Sequence, residues 1–237
     1  MGKLIELHKS KTFTIENKGE TTAEIFIYGN IGDNPWDETS ISEKKIVSEL
    51  QKLPKTIKNI NVRVNSGGGA VFSGVTIYEL LKNHPAKVTA YVEGVAASIA
   101  SVIIMAADEI VMGEAAMLML HKPLVAIYGN TIELEKMIDI LDKIENQMIS
   151  IYAKKTKKSR AELSKILADE TWFTADQAIE MGLADRSMAS TDESRYLAAS
   201  IIEGGNFRNK PSVKSSNALA KDKLKELTNN VNVFLNK

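Results

Sequence analysis

The chain has 237 residues with 30 basic and 30 acidic side chains, so its formal net charge is zero, and it contains no cysteine. Without a positive surplus there is no global pull toward nucleic acid or an anionic membrane, and without thiols there is no disulfide, zinc–thiolate or iron–sulfur site. Hydrophobic residues make up 44% and charged residues 25%, enough apolar material for a sizeable core, which excludes disorder over the whole length.

Met1-Gly2-Lys3-Leu4-Ile5-Glu6 lacks the apolar core of a signal peptide, and Glu6 stands where a myristoylation site needs Ser or Thr. The weakly polar run 94–107 is shorter than the ~20 residues that a bilayer requires, so it reads as a buried helix. A cytoplasmic protein is expected, with neither membrane nor nucleic acid as partner.

A strand is predicted at 23–28, followed by a loop rich in Gly, Asn, Asp and Pro over 29–37. Ser40-Ile41-Ser42-Glu43 is a capping box opening a helix that Pro54 stops. A second strand at 59–64 leads into Ser66-Gly67-Gly68-Gly69 and a helix to about residue 82. A strand at 87–92, a helix at 97–107 and short strands at 109–112 and 117–121 follow. This alternation argues for an α/β fold with several parallel crossovers.

Asn130-Thr131-Ile132-Glu133 caps a long helix reaching about residue 154, with Leu134, Met137, Ile138, Leu141, Ile144, Met148 and Ile151 in one broad apolar stripe. The basic run 154–160 reads as the solvated C-terminus of that helix. Ser159-Arg160-Ala161-Glu162 and Thr174-Ala175-Asp176-Gln177 cap two further helices, the second ending at Gly182. The composition shifts near Glu203. We therefore expect one domain over 1–203, a flexible linker over 204–217, and a tail over 218–237 in which Leu224, Leu227, Val231 and Phe234 could line a short helix.

Chemistry is suggested at three places. The glycine turn 66–69 leaves backbone N–H groups accessible to an anion or an oxyanion. A phosphate cradle is excluded because Val75 stands where a P-loop has its lysine. Gly94-Val95-Ala96-Ala97-Ser98-Ile99 ends a strand and starts a helix with Ser98 among small neighbours, although a serine there often serves only as an N-cap. His121 closes an apolar strand just before Pro123, and becomes interesting if it lies beside a serine that needs a base. His8 and His84 have no such context, and the three histidines are too scattered for a metal site.

With Asn65-Ser66-Gly67-Gly68-Gly69, Gly94-Val95-Ala96-Ala97-Ser98, Met119-Leu120-His121-Lys122-Pro123 and Glu170-Thr171-Trp172-Phe173-Thr174-Ala175 in collinear order, the stretch 59–186 resembles the ClpP-type serine peptidases. The resemblance implies a ClpP/crotonase-like spiral of β-β-α units, homo-oligomeric rings and a closed catalytic chamber. It implies Ser98 as nucleophile, His121 as its base, and the N–H groups of Gly68 and Ile99 as the oxyanion hole. An extended peptide or protein substrate would pair with strand-like edges at Gly69, Ala70, Val71 and Phe72 and at Leu124, Val125 and Ala126. No cofactor and no metal are implied. Ser101, one helical turn beyond the nucleophile, is expected to be dispensable for the chemistry.

Two carboxylates, Asp169 and Glu170, stand side by side, and counting back from Thr174-Ala175 puts Glu170 in the family's aspartate column. Asp169, or a backbone carbonyl or water orienting His121, remains an open alternative. Gly67 in place of the family's usual Pro, Glu170 in place of Asp, the divergent first sixty residues and the tail resemble the head-maturation proteases of phages and prophages. Such enzymes process scaffold or capsid precursors, in host cytoplasm or prohead, without a required ATPase unfoldase. The alternatives are a housekeeping-type ClpP subunit working with an ATPase unfoldase, an inert assembly protein, and a crotonase-like acyl-CoA enzyme. A serine–lysine mechanism ranks lower, since no lysine lies between residues 94 and 120.

Overall fold

The computed structural model describes residues 13–17, 21–33 and 40–212. Its strands in chain order are β1 (Phe13–Asn17), β2 (Thr22–Ile31), β3 (Asn59–Gly69), β4 (Lys87–Ala97), β5 (Glu109–Gly113), β6 (Met117–Leu120), β7 (Thr171–Thr174) and β8 (Arg186–Met188). Its helices are α1 (Glu43–Gln51), α2 (Val71–Lys82), α3 (Ile99–Ile104), α4 (Thr131–Lys155), α5 (Arg160–Ala168), α6 (Ala175–Glu180) and α7 (Asp192–Gly204). The strands form one mixed sheet ordered β1-β2-β3-β4-β5-β8, with β6 branching from β4 and β7 pairing with β6. The β1–β2 and β6–β7 pairs are antiparallel and the rest parallel. This is the α/β architecture of the expected ClpP/crotonase-like class.

Alternation along the strands assigns each face. Ile25 and Ile27 of β2, Ile60, Val62 and Val64 of β3, and Val88, Ala90 and Val92 of β4 project to one side. There they meet Ile46 of α1, Ile77 of α2, Ile103 of α3, Tyr152 of α4, Leu163 of α5 and Ala178 of α6 in the main core. Each buried Ile, Leu or Val among them, fully withdrawn from water, contributes about 1.5–3 kcal/mol before the entropy of ordering it is subtracted. The other face changes character along β4. Near its middle, Arg63 pairs with Glu24 at 3.0 Å and with Glu93, its guanidinium over the Tyr91 ring. Toward its end, Val95 and Ala97 join Met119, Ala198 and Ile202 in a second, smaller core beneath α7.

The fork at β4 positions the site. Residues 89–92 pair with β5, whereas residues 95–97 pair with β6. The sequence predicts this strand to stop near 92 and the helix to begin at 97. The strand instead runs to Ala97, and α3 starts at Ile99, because 95–97 keep their backbone bonds to β6. Likewise β3 continues through the glycine turn, where Gly68 and Gly69 pair with Asn30 and Ile31 of β2. At α1 the N-cap is Ser42 rather than Ser40, since Ile41 bridges to Ile31. The three downstream capping boxes form as read, at Asn130, Ser159 and Thr174. Strands β1, β7 and β8 and helix α7 were not foreseen. His8 and the tail over 218–237 lie outside the described residues.

Candidate active site

Ser98 follows the last residue of β4 and caps α3. Its backbone has φ 56° and ψ −129°, a conformation that L-residues adopt only when their surroundings impose it. Here the Ser98 N–H donates to the Met119 carbonyl of β6 at 3.0 Å, so the Ser98 backbone is tied to the strand that carries His121. Two residues beyond Met119 comes His121, and its Nε2 lies 2.7 Å from Ser98 Oγ. The pair is set by strand register: Ala97 is level with Met119, and each chain then overshoots its strand into the same space.

The acid side follows from the antiparallel ladder. Leu120 faces Thr171, and one further step sets Glu170 opposite His121. Met119 and His121 then share a face with Trp172 and Glu170, the face that α7 covers. Asp169 caps the end of α5, stays exposed and pairs with Lys165. Glu170 turns into the left-handed region at φ 49° and is buried. The two carboxylates diverge because helix α5 ends at Asp169 and the chain turns sharply at Glu170.

The Glu170 carboxylate is held from the C-terminal side. Its Oε1 accepts the Asn209 backbone N–H at 2.7 Å, and its Oε2 lies 3.5 Å from Arg208 Nε. Asn209 Nδ2 also donates to the Asp169 carbonyl at 2.7 Å, and the Phe207 ring meets Trp172 edge-on at 5.1 Å between centroids. Phe207 also reaches the glycine turn, where a Cβ on Gly67 would lie 3.6 Å from it. From the sequence, residues 205–209 are expected to start a flexible linker. In the fold they form a short strap across the acid and the glycine turn. Among the described residues, nothing hydrogen-bonds Nδ1 of His121.

The glycine turn presses on Ser98. Gly68 has φ 100°, and a Cβ there would fall 2.6 Å from Ser98 Cβ and 3.1 Å from Ser98 Oγ, so only glycine fits. Its N–H rests on Ser66 Oγ at 3.1 Å, and that hydroxyl in turn donates to the Gly29 carbonyl. The Ile99 N–H opens α3, and the first N–H groups of a helix have no acceptor within it.

The family model described as "Clp protease" matches residues 8–191. The chain belongs to the Clp protease family. It is similar to proteins described as ATP-dependent Clp protease proteolytic subunit 1 from Protochlamydia amoebophila, 34% identical over 64% of this chain and 77% of the relative, and from Streptomyces avermitilis, 32% identical over 67% and 75%. It is similar too to a subunit 3 of that protease from Rhodococcus jostii, 28% identical over 71% of this chain and 82% of the relative. A Clp-type serine peptidase is a hydrolase, and a hydroxyl in contact with an imidazole is the apparatus that such hydrolysis needs.

Within this Clp-family site, burial holds the pKa of His121 below the ordinary histidine value, Glu170 works against that, and Arg208 adds to it. The neutral ring is therefore favoured, as a general base requires. Among the described residues no cluster could hold a metal ion, and no helix is long and apolar enough to cross a membrane. The expected substrate edges need correction. Gly69 ends β3, but Ala70 caps α2, and Val71 and Phe72 lie in its first turn, because their backbones enter helical bonding. Leu124 and Val125 are exposed and belong to no strand, so they remain open to pairing. Sequence reasoning gave no role to Ser101, Tyr152, Arg208 or Asn209. Their partners lie 3 to 51 residues away, and no motif records such contacts.

Proposed function

We propose that Ser98 is the nucleophile of this Clp-family serine endopeptidase, with His121 as base and Glu170 as the acid behind it. The observation that carries this reading is the 2.7 Å approach of His121 Nε2 to Ser98 Oγ. Ser98 Oγ attacks the peptide carbonyl as its proton passes to Nε2, and the electron pair of the C=O moves onto oxygen. The N–H groups of Ile99 and Gly68 then receive that oxyanion, the latter leaving Ser66 Oγ to do so. Collapse breaks the C–N bond, and the Nε2 proton goes to the departing amine. Water repeats the sequence on the acyl-enzyme. Substrate lies extended between Gly69 and Leu124–Val125. Ser98→Ala should abolish peptide hydrolysis and labelling by a fluorophosphonate probe; full activity in that variant would refute the assignment.

For the biological substrate, we propose the processing of phage scaffold or capsid precursors by a homo-oligomeric ring. Support comes from Glu170 in the aspartate position, the Glu-Thr-Trp-Phe-Thr-Ala segment and the strap that follows α7. The names of the relatives favour the second reading, a proteolytic subunit working with an ATPase. Mass spectrometry of products from precursor proteins separates the two. Cleavage at discrete sites without ATPase, absent in Ser98→Ala, supports processing, whereas degradation only with an added unfoldase supports the second.

A further inference from the structure

The nucleophile is held from behind as well as from the front, and by residues that the proposed mechanism does not use. The Ser98 carbonyl accepts the Ser101 backbone N–H at 3.0 Å and also the Ser101 Oγ–H. Ser101 has a single hydroxyl proton, already committed to Ser98 O. The 2.7 Å contact between Ser101 Oγ and the Tyr152 hydroxyl is therefore donated by the tyrosine. The relay runs from Tyr152 O–H to Ser101 Oγ and from Ser101 O–H to Ser98 O. Both side chains are buried in the main core, where water does not compete for these bonds.

The Ser98 carbonyl and the Ile99 N–H belong to one planar peptide unit. Fixing the direction of the oxygen at Ser98 fixes the opposite direction of the hydrogen at Ile99. We propose that Ser101 and Tyr152 are positioning residues that aim the Ile99 N–H at the oxyanion of the acyl-transfer transition state. The proposal rests on the assignment of Ser98 and Ile99 above. It reverses the expectation that Ser101 is dispensable. Tyr152 lies near the end of α4, whose Lys155 Nζ also donates to the Ala107 carbonyl just beyond α3 at 2.8 Å. The backing of α3 is thus built from the last turns of the long helix.

An oxyanion donor acts on the transition state and not on the bound ground state, so misaiming it lowers kcat while sparing KM. The test uses the full chain, an N-acyl peptide amide with a fluorogenic leaving group, and the aldehyde of the same peptide, which forms a tetrahedral adduct with a serine nucleophile. Ser101→Ala should lower kcat by roughly tenfold or more, below the full 10²–10³ of a deleted donor. KM should stay within about twofold, and aldehyde affinity should fall in step with kcat. Ser101→Thr keeps the hydroxyl and should restore both, and Tyr152→Phe should show a smaller loss in the same direction. The acid limb of the pH–rate profile should not move, since His121 is untouched. Wild-type kcat and aldehyde affinity in Ser101→Ala overturn the proposal, and so does equal loss in Ser101→Ala and Ser101→Thr. If Ser101→Ala does not fold, unchanged kcat in Tyr152→Phe overturns it instead. Activity surviving in Ser98→Ala is a different result, since it removes the assignment on which the proposal stands.

Discussion

Gly68 and Ser98 compete for the same few ångströms, and neither has a spare atom. Gly68→Ala would place a methyl 2.6 Å from Ser98 Cβ on a backbone at φ 100°. We expect fluorophosphonate labelling to slow by about 10²-fold or more, with the circular dichroism spectrum of the folded chain retained. The charges around His121 give a second prediction with opposite signs. Below its pKa the ring is protonated and cannot act as base, so activity falls on the acid side. Glu170 raises that pKa and Arg208 lowers it. Glu170→Gln should therefore move the acid limb of the pH–rate profile to lower pH while cutting turnover, because the imidazolium formed during attack loses its counter-charge. Arg208→Ala should move the same limb to higher pH. Profiles that shift the same way in both variants would contradict the geometry at Glu170.

At the scale of elements, α4 is divided along its length. Met148, Ile149 and Tyr152 are buried, whereas Ile132, Leu134, Ile138 and Ile140 are exposed, as are Leu124 and Tyr128 in the segment before it. An apolar surface of this extent is ordinarily covered by a partner. We expect a homo-oligomer joined through it, so Ile138→Asp should lower the mass seen by light scattering while leaving the fold intact. A monomer in the unmutated chain would refute this. The stripe on α4 was legible in the sequence because helical period survives without tertiary context. The capping boxes at Asn130, Ser159 and Thr174 were legible because each is closed by residues three apart, whereas the one at Ser40 gave way to the bridge between Ile41 and Ile31. The ends of β3 and β4 were not. Their last residues are glycine, alanine and serine, and they stay in strands only because β2 and β6 arrive from elsewhere to pair with them. Helix α7 escapes the sequence for the same reason: Ala198 and Ile202 are buried in a cluster with Val95, Ala97 and Met119, which lie far away in the chain.

Across the whole molecule, the serine and histidine motifs could be read locally, since each lies at the end of a strand whose hydrophobic run is visible. What surrounds the acid could not, because it is assembled from α5, β7 and the strap after α7. A chain ending after Gly204 should keep the Ser98–His121 contact and lose both partners of the Glu170 carboxylate. Its acid limb should then move to higher pH, as in Arg208→Ala, and Trp172 fluorescence should report the loss of the Phe207 ring. The strap also has a consequence in time. A ribosome delivers the chain from its N-terminus at about 5–20 residues per second. Ser98, His121 and Glu170 have all been made before Arg208 and Asn209 are added, so the groups that grip the Glu170 carboxylate are the last of the site to leave the ribosome.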